Sequence, residues 1–145
     1  MTKPYHELIA GRIYYGAAKD IQQMVDEEGV CVVVDLRAES TGCAAHRAAV
    51  QWIRIPLSDE AVQPEPALCQ QAIDAVVQAY QQGSKVAFHC GGGRGRTGMV
   101  ATGVLMALGV CQTLPEAAAL AKSIRPVLNI KSNQYLALSQ LYPEV

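Results

Sequence analysis

A glycine-rich segment between a predicted strand and a predicted helix is the feature that most constrains the fold of this chain. It reads HCGGGRGRTG over residues 89–98. Glycine lets consecutive backbone N–H groups turn toward one point without Cβ clashes, which creates a concave anion site. The helix that follows would direct the positive end of its dipole toward the same point. The segment therefore predicts a loop that binds an anion such as phosphate.

Two side chains in this segment suggest chemistry beyond binding. Cys90 stands at the head of the loop, and Arg96 follows six positions later. A positive site favours the thiolate, which is the nucleophilic form of cysteine. The guanidinium offers a planar fork of donors that suits two phosphate oxygens. The segment has neither the G-K-[ST] sequence of a P-loop nor a G-x-G-x-x-G fingerprint with its acidic partner, so a nucleotide-binding loop is not favoured.

The remaining cysteines and histidines form no pattern of their own. The chain has five cysteines and no C-x-x-C pair, so we predict neither a metal site nor a set of disulfides. Isolated cysteines are usually small buried hydrophobes, and we expect this of Cys31 and Cys69. His6 and His46 are predicted to be structural or surface residues, and Asp35 is predicted to cap a turn.

Short apolar runs alternate with helical periodicities along the chain. This alternation is typical of an α/β fold around a largely parallel sheet, and we predict a single domain over residues 1–145. The three C-terminal helices should pack together on one face. Strands are predicted at residues 12–15, 30–34, 52–55 and 85–88, and helices at residues 17–25, 44–50, 68–80, 97–108, 113–122 and 135–142.

The charge balance excludes some classes of partner. Half of the residues are hydrophobic, 17% are charged and the net charge is −1. This balance predicts no general attraction to nucleic acid or to acidic membranes. Residues 97–115 carry no charge, but glycines and threonines interrupt them, so we predict a buried helix and no membrane insertion. The N-terminus lacks the apolar core of a signal peptide, so we expect a cytoplasmic protein. Of the possible oligomeric states, a monomer is favoured.

The segment at residues 89–97 matches the H-C-x5-R-[ST] signature of the cysteine-based protein tyrosine and dual-specificity phosphatases. The chain resembles the compact dual-specificity branch of this superfamily. The likeness continues at residues 33–37, in IRIPLSD at residues 53–59, and in Arg125-Pro126 followed by Gln134. The resemblance implies an α/β fold with a central, mostly parallel sheet of four or five strands and most helices on one face.

The resemblance also implies a role for each residue of the loop. Cys90 would attack phosphorus and form a phosphocysteine, and Thr97 would donate a hydrogen bond to the departing thiolate. Arg96 and the loop would bind the phosphate oxygens, and His89 would fix the loop. The substrate-binding residues of the loop are Gly91, Gly92, Gly93, Arg94 and Gly95. No metal or other cofactor is implied.

An acidic residue and an amide outside the loop complete the implied machinery. Asp59 matches the position of the general acid, which would later serve as the base for water. Asp59 falls in a polar, proline-containing segment at residues 58–66, which predicts an exposed loop, and Glu60 and Glu65 are the alternatives in the same loop. Gln134 could position the water. Cys43 could act as a resolving thiol against oxidation of the nucleophile.

The predicted activity is hydrolysis of phosphate monoesters in phosphorylated proteins or peptides. Phosphotyrosine is the first candidate, with phosphoserine and phosphothreonine next, and phosphate, sulfate or vanadate would be active-site ligands. A phosphatase of phosphoinositides or other polyanions is the alternative, because Arg94 adds a second cation to the loop. A pseudophosphatase that only binds phosphoproteins is less favoured, because Cys90, Arg96 and Asp59 are all present. A sulfurtransferase or a low-molecular-weight phosphatase fits less well, because here an acidic loop precedes the cysteine.

Overall fold

The central feature of the computed structural model, which describes residues 3–45 and 49–143, is one five-stranded sheet. The spatial order of the strands is β1-β2-β5-β3-β4, and β1 is antiparallel to β2 while the other pairs are parallel. This arrangement confirms the predicted mostly parallel α/β fold. The strands are β1 His6–Ile9, β2 Ile13–Ala17, β3 Val32–Asp35, β4 Gln51–Arg54 and β5 Val86–Cys90.

The helices begin and end at recognisable signals. Gly29 ends the first helix in the left-handed conformation with φ +77°, as a C-terminal cap requires. The Thr113 side chain accepts a hydrogen bond from the N–H of Glu116, which caps the fourth helix. The helices are α1 Ile21–Glu28, α2 Pro66–Gln81, α3 Gly95–Ala107, α4 Leu114–Ile124 and α5 Ser132–Leu141, and a 3-10 turn at Ala18–Asp20 precedes α1.

Alternate residues of the strands enter two separate apolar clusters. Tyr15 and Phe88 stack in the larger cluster, whereas their neighbours Tyr14 and Ala87 belong to the smaller one. Because successive side chains of a strand point to opposite faces, the two clusters lie on the two faces of the sheet. The larger cluster contains buried residues of α2, α3, α4 and α5, and the smaller contains those of α1. The C-terminal helices therefore pack on one face, as predicted.

The structure differs from the sequence-based expectations in three places, one of which lies partly outside the described residues. Strand β1 was not predicted, because four residues are too few to show a periodicity. The helix predicted at 44–50 is absent at its two ends, residues 44–45 and 49–50, since so short a segment rarely nucleates a helix; residues 46–48 lie outside the described residues. Cys31 is exposed just before β3, whereas Cys69 is fully buried as expected.

Candidate active site

The phosphate-loop candidate lies at the carboxyl end of the central strand. Strand β5 runs between β2 and β3 and ends at Cys90, and α3 begins at Gly95. Residues 91–94 therefore connect a buried parallel strand directly to a helix N-terminus. In open parallel sheets, ligands bind at this edge, and here the chain places its glycines there.

A close approach between two backbone segments fixes the shape of the loop. Gly93 has φ +70°, and a Cβ at this position would lie 2.6 Å from the carbonyl carbon of Gly16. The buried Arg125 donates from Nε to the Gly93 carbonyl oxygen at 2.8 Å and from Nη1 to the Pro4 oxygen at 2.9 Å. Arg125 thus joins the loop to the N-terminal segment, a role that its place in the sequence did not reveal.

The Cys90 side chain lies at the base of the loop and is almost completely buried. Cys90 is 3% exposed, and its Sγ accepts a hydrogen bond from Thr97 Oγ1 at 3.1 Å. The Thr97 hydroxyl also lies 3.4 Å from the Gly16 carbonyl oxygen. The structure therefore brings the thiol and the hydroxyl predicted as its partner into contact.

A buried polar network lies behind the cysteine. Burial lowers the pKa of His89, and its Nδ1 lies 2.9 Å from the Cys90 carbonyl oxygen, so a neutral ring with Nδ1–H donates to that oxygen. Burial raises the pKa of Asp35, but hydrogen bonds from Arg37, Ser40 and Trp52 outweigh it and bring the pKa to about 2. Asp35 also accepts from the Arg37 N–H, which is the turn bond predicted for it.

The buried Arg96 guanidinium is held by two acceptors. Its Nη1 and Nη2 donate to the two carboxylate oxygens of Glu39 at 2.8 and 2.9 Å, and Nη1 also donates to the Leu57 carbonyl oxygen at 3.1 Å. Hydrogen bonding from Arg96 lowers the pKa of Glu39 to about 2. Arginine has five N–H donors, and these three hydrogen bonds use three of them. The Nε–H and the second Nη2–H remain, and this pair of donors is the side-on fork of the guanidinium. Nε has no hydrogen-bond partner among the described residues.

Glu39 is a site residue that the sequence did not reveal. It lies in an irregular segment after β3, and its side chain is 58% exposed. The sequence offered only indirect evidence for such a residue, because a buried guanidinium needs an anionic partner. The sequence does not say which carboxylate supplies that partner.

The predicted acid lies beside Arg96, at the edge of the site. The Asp59 carboxylate is 50% exposed, and its Oδ1 lies 3.8 Å from Arg96 Nε and 3.3 Å from Lys131 Nζ. Of the two alternatives, Glu65 accepts a hydrogen bond from the Ser58 N–H at 2.9 Å, and Glu60 is exposed. The structure thus brings Asp59 to the arginine and commits Glu65 to the loop backbone.

The predicted water-positioning amide lies against the first turn of α3. Gln134 is buried, and a Cβ at Gly95 would lie 2.8 Å from its Oε1. Oε1 accepts a hydrogen bond from the Lys131 N–H at 2.8 Å, whereas Nε2 has no partner among the described residues. Arg94 is exposed, as expected for a side chain at the rim of the loop.

The secondary cysteine and histidine predictions have different outcomes. Cys43 packs against the smaller apolar cluster and Cys90 belongs to the larger one, so the sheet separates them and the structure does not bring them together. His6 is structural, with Nδ1 3.1 Å from Arg125 Nη1, and His46 lies outside the described residues.

Across residues 3–45 and 49–143, no three His, Cys, Asp or Glu side chains form a cluster that could hold a metal ion. No helix in this part of the chain is long and apolar enough to cross a membrane.

The family model for the catalytic domain of dual specificity phosphatases matches residues 13–143. The chain belongs to this family. The match confirms the resemblance drawn from the H-C-x5-R-T motif, and it makes the chain a phosphatase domain whose chemistry is phosphoester hydrolysis.

Solved structures show the same fold. Human DUSP28 has a TM-score of 0.82 and 22% identity, over 97% of this chain and 93% of that one. Tk-PTP in its active form has a TM-score of 0.80 and 22% identity over 100% of both chains. PTPMT1 in complex with PI(5)P has a TM-score of 0.76 and 19% identity, over 94% of this chain and 93% of that one. The comparison with curated proteins found no match.

The Glu39–Arg96 pair generates a testable prediction. Glu39→Gln replaces one carboxylate oxygen by an N–H donor that faces a guanidinium donor, so the Nε–Nη2 fork should lose its orientation. Since a charge-assisted hydrogen bond contributes about 1.5–3 kcal/mol, we expect kcat/KM on a small aryl phosphate to fall roughly 10–100-fold. Steady-state kinetics and inhibition by inorganic phosphate measure this, with Glu27→Gln on α1 as the control. Tighter phosphate inhibition in Glu39→Gln would show instead that Glu39 competes with the ligand for Arg96.

Proposed function

We propose that this chain dephosphorylates proteins, with phosphotyrosine as the main substrate and phosphoserine or phosphothreonine next, through a phosphocysteine intermediate. One observation carries the proposal: the Cys90 Sγ lies at the base of a glycine loop, with Thr97 Oγ1 at 3.1 Å and the side-on fork of Arg96 in the same site. A nucleophile and an oriented cation at one anion site are what in-line attack on phosphorus needs.

The first step transfers the phosphoryl group to the enzyme. The Cys90 thiolate forms an S–P bond while the P–O bond to the substrate oxygen breaks. The loop N–H groups and the Nε–Nη2 fork of Arg96 bind the three equatorial oxygens, where charge accumulates. Asp59 gives its proton to the departing oxygen. It is close enough to serve, because its carboxylate lies 3.8 Å from the Arg96 Nε that would hold the phosphate.

The second step returns the enzyme to its starting state. Water attacks phosphorus, the S–P bond breaks and inorganic phosphate leaves. Asp59, now ionised, accepts a proton from the water. Thr97 Oγ1 donates to the departing thiolate, and the buried Nε2 of Gln134, which has no partner among the described residues, is the donor that would orient the water.

The surroundings of the site suit an extended substrate that stays near the surface. Two open clefts of about 330 and 530 Å³ share Ser58, Asp59 and Glu60 as lining residues. Both are lined largely by polar side chains, which suits the hydrated flanks of a phosphopeptide. All five cysteines are free thiols, which agrees with a protein that acts in the reducing cytoplasm.

A second candidate is a phosphatase of phosphoinositides or other polyanions. The exposed Arg94 in the loop favours it, because a rim cation could bind a further phosphate group beside the scissile one. The structure of PTPMT1 in complex with PI(5)P shows that a domain of this fold can bind such a molecule.

Replacement of the nucleophile is the first test. Cys90→Ser should abolish turnover of an aryl phosphate and still bind phosphate esters, because the loop and Arg96 remain. Wild-type activity should survive EDTA and be lost with vanadate or a thiol alkylating agent. The exposed Cys31 provides a matched control, since Cys31→Ser should keep full activity. Loss of activity in EDTA would point to a metal-dependent mechanism and contradict the proposal.

The general acid is tested by the leaving group. Asp59→Asn should lower kcat roughly 10²–10³-fold on tyrosyl or alkyl phosphates, since general-acid catalysis contributes a factor of this order. The loss should be smaller on esters whose leaving group is strongly acidic, because such a group scarcely needs the proton. The comparison is kcat across a leaving-group series, with Glu60→Gln in parallel. A leaving-group dependence seen in Glu60→Gln alone would identify Glu60 as the acid.

The two substrate classes are separated by Arg94. A charge-assisted contact contributes about 1.5–3 kcal/mol, so Arg94→Leu should lower kcat/KM roughly 10–100-fold on any substrate whose second phosphate it binds. Small aryl phosphates should be unaffected. The measurement is turnover of a phosphotyrosine peptide, a phosphothreonine peptide and a soluble polyphosphorylated inositide side by side. If all substrates respond equally, the polyanion candidate loses its support.

A further inference from the structure

The loop that carries Asp59, here named the acid loop, is held only weakly by backbone hydrogen bonds. Leu57 is buried at the start of the loop, but Val62 is 86% exposed. Among the described residues, the backbone of residues 59–62 makes no hydrogen bond to another backbone group. Neither burial of these residues nor a backbone ladder fixes this part of the loop, so side chains from elsewhere must determine where the acid lies.

The start of α5 supplies these side chains. Asn133 Nδ2 donates to the carbonyl oxygens of Ala61 and Val62, at 2.8 and 3.2 Å. Lys131 Nζ donates to the Asp59 carbonyl oxygen at 2.8 Å and lies 3.3 Å from the Asp59 Oδ1. Three of the four carbonyl groups of residues 59–62 are thus bound by two residues of one helix terminus.

The two contacts differ in stiffness. Asn133 is half-buried and has a short side chain, and its amide bridges two adjacent carbonyl groups. Lys131 is exposed, and its flexible side chain forms an ion pair in water, which holds its partner only loosely. Gln134, which follows Asn133 in the chain, accepts a hydrogen bond from the Lys131 N–H and lies against Gly95 at the end of the phosphate loop. The terminus that holds the acid loop is therefore itself seated on the phosphate loop.

We propose that Asn133 is a positioning residue for the general acid, assisted by Lys131. This inference rests on the proposed function, in which Asp59 donates the proton. Proton transfer requires the carboxyl group within hydrogen-bond reach of the leaving oxygen, and a displacement of about 1 Å can lower a rate on the order of 10²-fold. Asn133 sets the distance between the acid loop and the phosphate loop, and it contacts neither the phosphate nor the leaving group.

The experiment compares substrates that differ only in the leaving group. Asn133→Ala should lower kcat roughly 10–100-fold on a tyrosyl phosphate, with little change in KM, and leave kcat on an ester with a strongly acidic leaving group near the wild-type value. Asn133→Asp keeps the size but puts a carboxylate against two carbonyl oxygens, so it should show the same pattern. Gln140→Ala removes an exposed amide from the same helix and should change neither activity. Equal losses on both substrates would overturn the inference.

A double-mutant cycle with Asp59 identifies the residue through which Asn133 acts. When Asp59→Asn is already present, Asn133→Ala should cause no further loss, because the group it positions no longer donates a proton. Additive losses would overturn the inference and leave Asp59 as the acid. If Asp59→Asn alone shows no leaving-group dependence, both the proposed acid and this inference fail. Thermal melts check folding, and if Asn133→Ala does not fold, Asn133→Asp and Lys131→Met carry the same comparison.

Discussion

The burial of the Arg96 guanidinium is the constraint on which the rest of the site depends. A buried cation needs an anionic partner and acceptors for its donors, and here these come from two different loops. Glu39 lies in the segment after β3, and the Leu57 carbonyl belongs to the segment after β4. Because Arg96 itself lies in the first turn of α3, one side chain joins the segments that follow three adjacent strands. Once these partners are satisfied, the guanidinium has only the side-on fork left to offer.

The phosphate loop is shaped by a second contact of the same kind. Gly93 approaches Gly16 so closely that no Cβ could be present, and Arg125 binds the Gly93 carbonyl from the end of α4. This turns a carbonyl oxygen, which would repel phosphate, toward a buried cation. The strand order makes the contact possible, because β2 lies directly beside β5 in the sheet. The fold therefore acts on the chemistry by fixing which polar groups face the ligand.

Sequence reasoning succeeded where the information is local. The spacing of Cys90, Arg96 and Thr97 within one loop predicted that they would meet, and the alternation of strands and helices predicted the sheet. The roles of Glu39, Arg125 and Asn133 escaped it, because these roles arise from partners 32 to 121 positions away in the chain. The missed strand β1 and the incorrect helix at 44–50 have the same origin, since elements this short are decided by tertiary packing and not by their own pattern.

The position of Asp59 links the two halves of the proposed reaction. Its carboxylate lies near Arg96 Nε on one side and Lys131 Nζ on the other. In the proposed reaction a phosphate binds at the Nε–Nη2 fork and takes over the contact with Arg96, so Asp59 is released toward the leaving oxygen at the moment that the substrate enters. In this reaction Asn133 and Lys131, which donate to carbonyl oxygens of the loop, would hold its backbone while the carboxylate turns. In the proposed reaction, binding at the arginine and delivery of the acid are therefore coupled through this one shared contact.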